Sequence, residues 1–150
     1  MTGHRGAVLD HVAVETTGIE ADVALMTRTF GLTELRWGVH VQTGKRIVML
    51  RDSLGMKLEL IETVTPDGSL AHVAFEVTDV EVAAAAAIGA GCLGEIGLIR
   101  IPAAMASAAV VRSRAGTALQ LIRYEDGSPD VTRPAAPETE AVRGPEGTTS

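Results

Sequence analysis

HVAVE at 11–15 returns as HVAFE at 72–76, and LELIE at 58–62 returns as LQLIR at 119–123. Both pairs are displaced by the same 61 residues, and at that offset Arg51 falls on Arg112 and Gly55 on Gly116. A constant offset at separate points along the chain means one module of about 60 residues used twice. Each copy opens with a histidine in an apolar segment and closes with a polar acceptor in another: His11 and Glu59, then His72 and Gln120.

These segments alternate with the period of a strand. Val12 and Val14 share one face and His11 and Ala13 the other; Glu59 lies with Lys57 and Ile61, opposite Leu58 and Leu60. Between 19 and 30 the apolar spacing turns helical, with Ile19, Val23, Met26 and Phe30 on one side and Gly31 placed to end the helix. Strands are expected over 8–14, 34–42, 45–51 and 56–62. The second copy repeats the order: a strand over 70–77, a helix over 80–89 capped by Thr78 or Asp79, then strands over 93–101, 107–113 and 117–124. PAAMASAAVV has helical propensity, but its second half corresponds to the strand KRIVML in the first copy and is read as a strand.

The fold class is therefore α+β, with two tandem βαβββ modules. The expected divisions are an N-terminal arm over 1–7, modules over 8–64 and 69–125, and a tail over 126–150. TPDG at 65–68 is the turn between modules. The tail carries four of the six prolines and few large apolar groups, so it is expected to be disordered.

Composition narrows the function. A net charge of −6 argues against a nucleic-acid partner, which needs a basic face. No apolar run is long enough to span a bilayer, and the first residues lack a signal-peptide stretch, so a cytoplasmic protein without a membrane partner is expected. The single Cys92 fits a reducing compartment and a small apolar role near a helix end. Only Phe30, Trp37, Phe75 and Tyr124 are aromatic, which limits recognition of ligands by stacking.

A carboxylate in the middle of LELIE is costly on a buried face without a partner. A metal ion, a hydrogen-bond network or a wet cavity would each supply one. Alone, His11 or His72 reads as a hydrogen-bonded structural residue and Glu59 or Gln120 as part of a solvated face. The shared offset favours one site instead: two imidazoles, a carboxylate and an amide oxygen converging on a divalent cation, with positions left for substrate. Lys57 and Arg112 are read as surface charges, with contact to an acidic substrate group as the alternative.

With DHVAV and AHVAFEV opening the copies and LELIE and ALQLIR closing them, residues 8–125 resemble the vicinal oxygen chelate superfamily, and in AHVAFEVTDV most nearly its methylmalonyl-CoA epimerase branch. The resemblance implies sheets curled into a cup around a central site, with helices on the convex side. It implies a divalent metal (Zn, Ni, Co, Mn or Fe) on His11, Glu59, His72 and Gln120, a small-molecule substrate and a homodimer. It also implies an isomerase, epimerase or lyase that stabilises an enolate-like oxyanion of a carbonyl substrate, with Glu59 as ligand and base. In the epimerase-like order, amide precedes carboxylate; here they have changed places. The epimerase's second acid has no obvious counterpart in RWGVHVQ. Trp37, His40 and Gln42 are the candidates there, and His40 is the one able to act as acid or base, or else to stand exposed and idle. The alternatives are a metal-free small-molecule binding or antibiotic-resistance protein and an Fe(II) dioxygenase.

Overall fold

The computed structural model describes residues 7–64 and 70–132. The first module runs β1 (Val8–Thr16), α1 (Ile19–Phe30), β2 (Thr33–Val39), β3 (Arg46–Arg51) and β4 (Lys57–Glu62). The second runs β5 (Leu70–Glu76), α2 (Val80–Gly89), β6 (Ile99–Ile101), β7 (Ala106–Arg112) and β8 (Ala118–Tyr124), with a 3-10 turn at Pro102–Ala104 before β7. Gly31 closes α1 in the left-handed conformation, and the Asp79 carboxylate caps α2 by accepting from the Val82 amide.

All eight strands form one sheet in the order β2-β3-β4-β1-β5-β8-β7-β6. The two modules join where β1 and β5 run antiparallel, and each first strand lies parallel to its own module's last strand. Both modules of one chain thus build one cup.

The repeat extends into the core. Ile19, Val23, Val48, Leu50 and Leu60 pack α1 onto the convex face of the sheet, and Val80, Ala84, Ala109, Val111 and Leu121 pack α2. Each residue of the second set stands 61 positions after its partner in the first. On the concave face Ala13, Ile47 and Ile61 cluster, and their counterparts Ala74, Ala108 and Ile122 do the same with Ala104 and Ala106. Cys92 is half-buried against the α2 cluster.

Two expectations fail here. The strand over 93–101 shrinks to Ile99–Ile101, with an isolated bridge from Leu93 to Arg112. Gly91 and Gly94 adopt positive φ, which takes this stretch out of the pleat. The start of the tail also differs: within 126–132, Ser128 is buried and Asp130 fully so, while Asp126, Gly127 and Pro129 are exposed. Polar bonds hold this segment. The Ser128 hydroxyl donates to the Ala104 carbonyl, and that of Thr132 to the Gly55 carbonyl. Residues 1–6 of the arm expected over 1–7, residues 65–69 with the turn at 65–68, and residues 133–150 lie outside the described residues.

Candidate functional site

The site begins with two alanines. At the module junction His11 pairs with Ala74, and Ala13 with His72. On the other side of each alanine, parallel pairing puts Glu59 beside Ala13 and Gln120 beside Ala74. Ala13 and Ala74 are fully buried and offer only a methyl group. Each is flanked by polar side chains from the neighbouring strands, and the small methyl leaves those chains room to lean together.

His11, Glu59 and His72 converge so that one ligand atom from each lies within 4.8 Å of the others. The two imidazole Nε2 atoms stand 3.0 Å apart, and His72 Nε2 is 3.8 Å from Glu59 Oε1. Gln120 lines the same cavity of about 220 Å³, as does His40, half-buried just past the end of β2. Val39, Val41, Ile47, Ile99, Ile101, Val110 and Ile122 supply apolar wall. All five sequence-expected site residues therefore border one space.

A further shell has no counterpart in the repeat. The Asp10 carboxylate accepts from His11 Nδ1 at 2.7 Å, from Lys57 Nζ at 2.9 Å and from the Tyr124 hydroxyl at 2.5 Å. Lys57 also donates to the Asp130 carbonyl at 2.5 Å. Lys57 is buried, which corrects its reading as a surface charge; Arg112 is exposed as read. Arg36 grips Asp130 in a bidentate pair, Nε and Nη2 each 2.7 Å from a carboxylate oxygen. Its Nη1 is buried and has no hydrogen-bond partner among the described residues. An unspent buried donor costs about 1–3 kcal/mol.

These neighbours set the charges. Burial pushes the Glu59 carboxyl up and the nearby Asp130 and Asp10 add to it, outweighing the pull of His11 and Arg36. Burial also acts upward on Asp10, but His11, Lys57 and Tyr124 hold it below the usual carboxylate range. For Arg36, burial is outweighed by Asp130, which keeps the guanidinium firmly charged. Burial and then Asp10 raise the Tyr124 hydroxyl, so it stays a donor. Lys57 thus offsets Asp10, and Arg36 offsets Asp130. Glu59 is the acid left over, 3.8 Å from an Arg36 nitrogen already spent on Asp130.

The donor set fits a cation. The Asp10 carboxylate accepts from His11 Nδ1, which leaves Nε2 to face the cavity, an arrangement typical of metal-bound histidine. Burial, helped by His11 and His40, drives the His72 pKa down to about 3, so His72 is neutral and free to ligate. The two Nε2 atoms lie within hydrogen-bonding distance of each other at 3.0 Å, so both rings point at the same spot. A divalent ion would also supply the positive charge that Glu59 lacks.

Metal-free protein should show this in its pH dependence. An unfolded chain protonates His72 near 6.5, while the folded one resists until about 3. The stability from keeping His72 neutral is thus fully present above 6.5 and is lost as pH falls. Urea midpoints of metal-free protein should drop across that interval, and His72→Gln should flatten the slope.

No family model matches the chain, and no curated protein matches it. Solved structures do. A hypothetical protein from Bacillus halodurans superposes with a TM-score of 0.71 at 18% identity, covering 83% of this chain and 99% of its own. Methylmalonyl-CoA epimerase from Mycobacterium tuberculosis gives 0.71 at 13% identity, covering 83% and 93%. A variant of the Streptomyces coelicolor epimerase, in complex with 2-nitronate-propionyl-CoA, gives 0.68 at 20% identity, covering 82% and 99%. The chain has the vicinal oxygen chelate fold. In this cup the helices lie on the convex side, as the resemblance implied, and His11, Glu59, His72 and Gln120 belong to the four central strands of the sheet. No helix among the described residues is long and apolar enough to cross a membrane.

Proposed function

We propose that the chain is a metal-dependent isomerase or epimerase that moves a proton next to a carbonyl group. One observation carries this: a buried carboxylate and two imidazoles meet within 4.8 Å inside an apolar cavity, and the surrounding charges leave Glu59 uncompensated. Epimerases among the solved structures of this fold support the reaction class.

His11, Glu59, His72 and Gln120 would hold the divalent cation. Once bound, it supplies a Lewis acid toward a substrate oxygen. Asp10 fixes the orientation of His11. The apolar wall would limit water around a bound substrate. His40, which lines the cavity outside the ligand cluster, would take up and return a proton. The second Glu59 oxygen is the other proton carrier within reach. Lyase chemistry would begin with the same proton abstraction.

The test is proton exchange in deuterated water on small carbonyl acids, followed by NMR. Metal-loaded protein should wash out the proton next to the carbonyl and chelator-treated protein should not; exchange that is insensitive to the chelator contradicts the reading. A second reading has its own support: His11, His72 and Glu59 form a two-histidine, one-carboxylate set of the type that holds ferrous iron in oxygenases. Catechol-dependent oxygen uptake by the ferrous protein, without proton exchange, would favour it.

A further inference from the structure

We infer that the substrate is a small free acid, a carbonyl compound bearing its own carboxylate and no diphosphate-carrying handle, and that Arg36 is the residue that selects it. The inference rests on the reading of the site as a metal-assisted proton-transfer centre, and it adds the substrate class.

The first observation lies inside the cup. Arg36 lines the cavity with its side chain more than nine-tenths buried. Asp130 holds Nε and Nη2 from behind, so the plane of the guanidinium is fixed and Nη1 is the donor left without a partner among the described residues. Beside it stands Gly38, where a Cβ would fall 3.1 Å from Nη1 and 3.0 Å from the Ala103 methyl. Nη1 lies against this glycine, and any side chain there would crowd it. A guanidinium whose orientation is already set is built for a carboxylate oxygen, since no further order is lost when the bond forms.

The second observation lies outside. A groove leads away from the cavity, sharing His40, His72 and Val110 with it. Among the described residues lining this groove, Lys45 is the one cation, and it is accompanied by Glu15 and Glu62. The neighbouring Arg46 is spent on Glu62 and Glu20, and on β6 Arg100 is spent on Glu125. A diphosphate needs converging cations or amides, and this rim offers mixed or negative charge on a chain of net charge −6. The cavity of about 220 Å³ is itself small. Among the described residues bordering the cavity and this groove, the buried cationic donor without an acid or carbonyl partner is therefore internal, in a space that suits one small anion. This separates the chain from neighbours of its fold that are seen with acyl-CoA ligands.

Calorimetry on the metal-loaded full chain tests this with acetoacetate, methylmalonyl-CoA and the neutral diketone diacetyl. Acetoacetate should bind about tenfold or more tighter than methylmalonyl-CoA. Arg36→Lys should weaken acetoacetate by about tenfold, because a point charge cannot keep the fork to Asp130 and reach the ligand too, while diacetyl changes by less than about twofold. Methylmalonyl-CoA binding as tightly as acetoacetate, or an Arg36→Lys protein with unchanged acetoacetate affinity, overturns the inference. The wild-type comparison decides even where Arg36→Lys fails to fold. Metal content measured on the same samples tells the two readings apart: one equivalent of metal with a preference for the thioester removes the substrate class and leaves the metal site standing.

Discussion

Replacing Glu59 with glutamine is expected to act in opposite directions on two properties. Metal occupancy should fall below about one-tenth, and proton exchange by about 10³-fold or more, because the one charged ligand is gone. The metal-free variant should meanwhile be more stable than metal-free wild type. Glu59 is buried with Asp10 and Asp130 close by, and that pushes its carboxyl upward. A carboxyl raised in the folded state gives stability that is complete below its unfolded value and is lost as pH rises through the folded one. Glutamine removes that loss, so the gain should be about 1–3 kcal/mol in weakly alkaline solution and vanish in acid. Urea titrations at two pH values, with and without chelator, check both halves. A residue of merely structural value would lose stability on substitution.

Asp130→Ala is expected to be the most destabilising change outside the hydrophobic clusters. Both partners of the Arg36–Asp130 pair are nearly inaccessible, at 8% and 1% side-chain exposure. Removing one member strands a buried charge, and such losses run to about 3–5 kcal/mol. The freed guanidinium would have Glu59 as its nearest acid, 3.8 Å from Nη2. Metal affinity should therefore fall as well, since Arg36 and a cation would compete for the same carboxylate. Ending the chain after Glu125 should reproduce both effects, because it deletes Asp130 and with it the carbonyl that accepts from Lys57. Thermal melting and metal titration of the two proteins measure this. A truncated chain as stable as the full one would show that residues 126–132 do not matter to the cup.

What could be read in the sequence follows from symmetry. The 61-residue offset gave access to every feature present in both copies, including the helix-packing sets from Ile19/Val80 to Leu60/Leu121 and the four side chains that border the cavity. The features that escaped are those found in one copy only. Asp10, Arg36, Lys57 and Tyr124 correspond at that offset to Ala71, Gly97, Ala118 and Thr63. Repetition does not mark such residues, although they set the electrostatics of the site. Adjacency was the available signal for Asp10, next to His11. Asp130 had none: it lies in a segment rich in proline and poor in apolar groups, and it is ordered through ion pairing, which composition does not report. The strand over 93–101 failed for the opposite reason, since symmetry with β2 suggested a long strand where Gly91 and Gly94 do not allow one.

We propose that His11, Glu59, His72 and Gln120 hold a metal ion. Element analysis of protein purified without chelator, joined to X-ray absorption at the edge of whichever metal is found, tests it most directly. About one equivalent per chain is expected, with two imidazoles bound to the metal, and it should be lost in His11→Ala and His72→Ala. Less than about one-tenth of an equivalent, with no rise in melting temperature on adding zinc, manganese or ferrous ion, would contradict it.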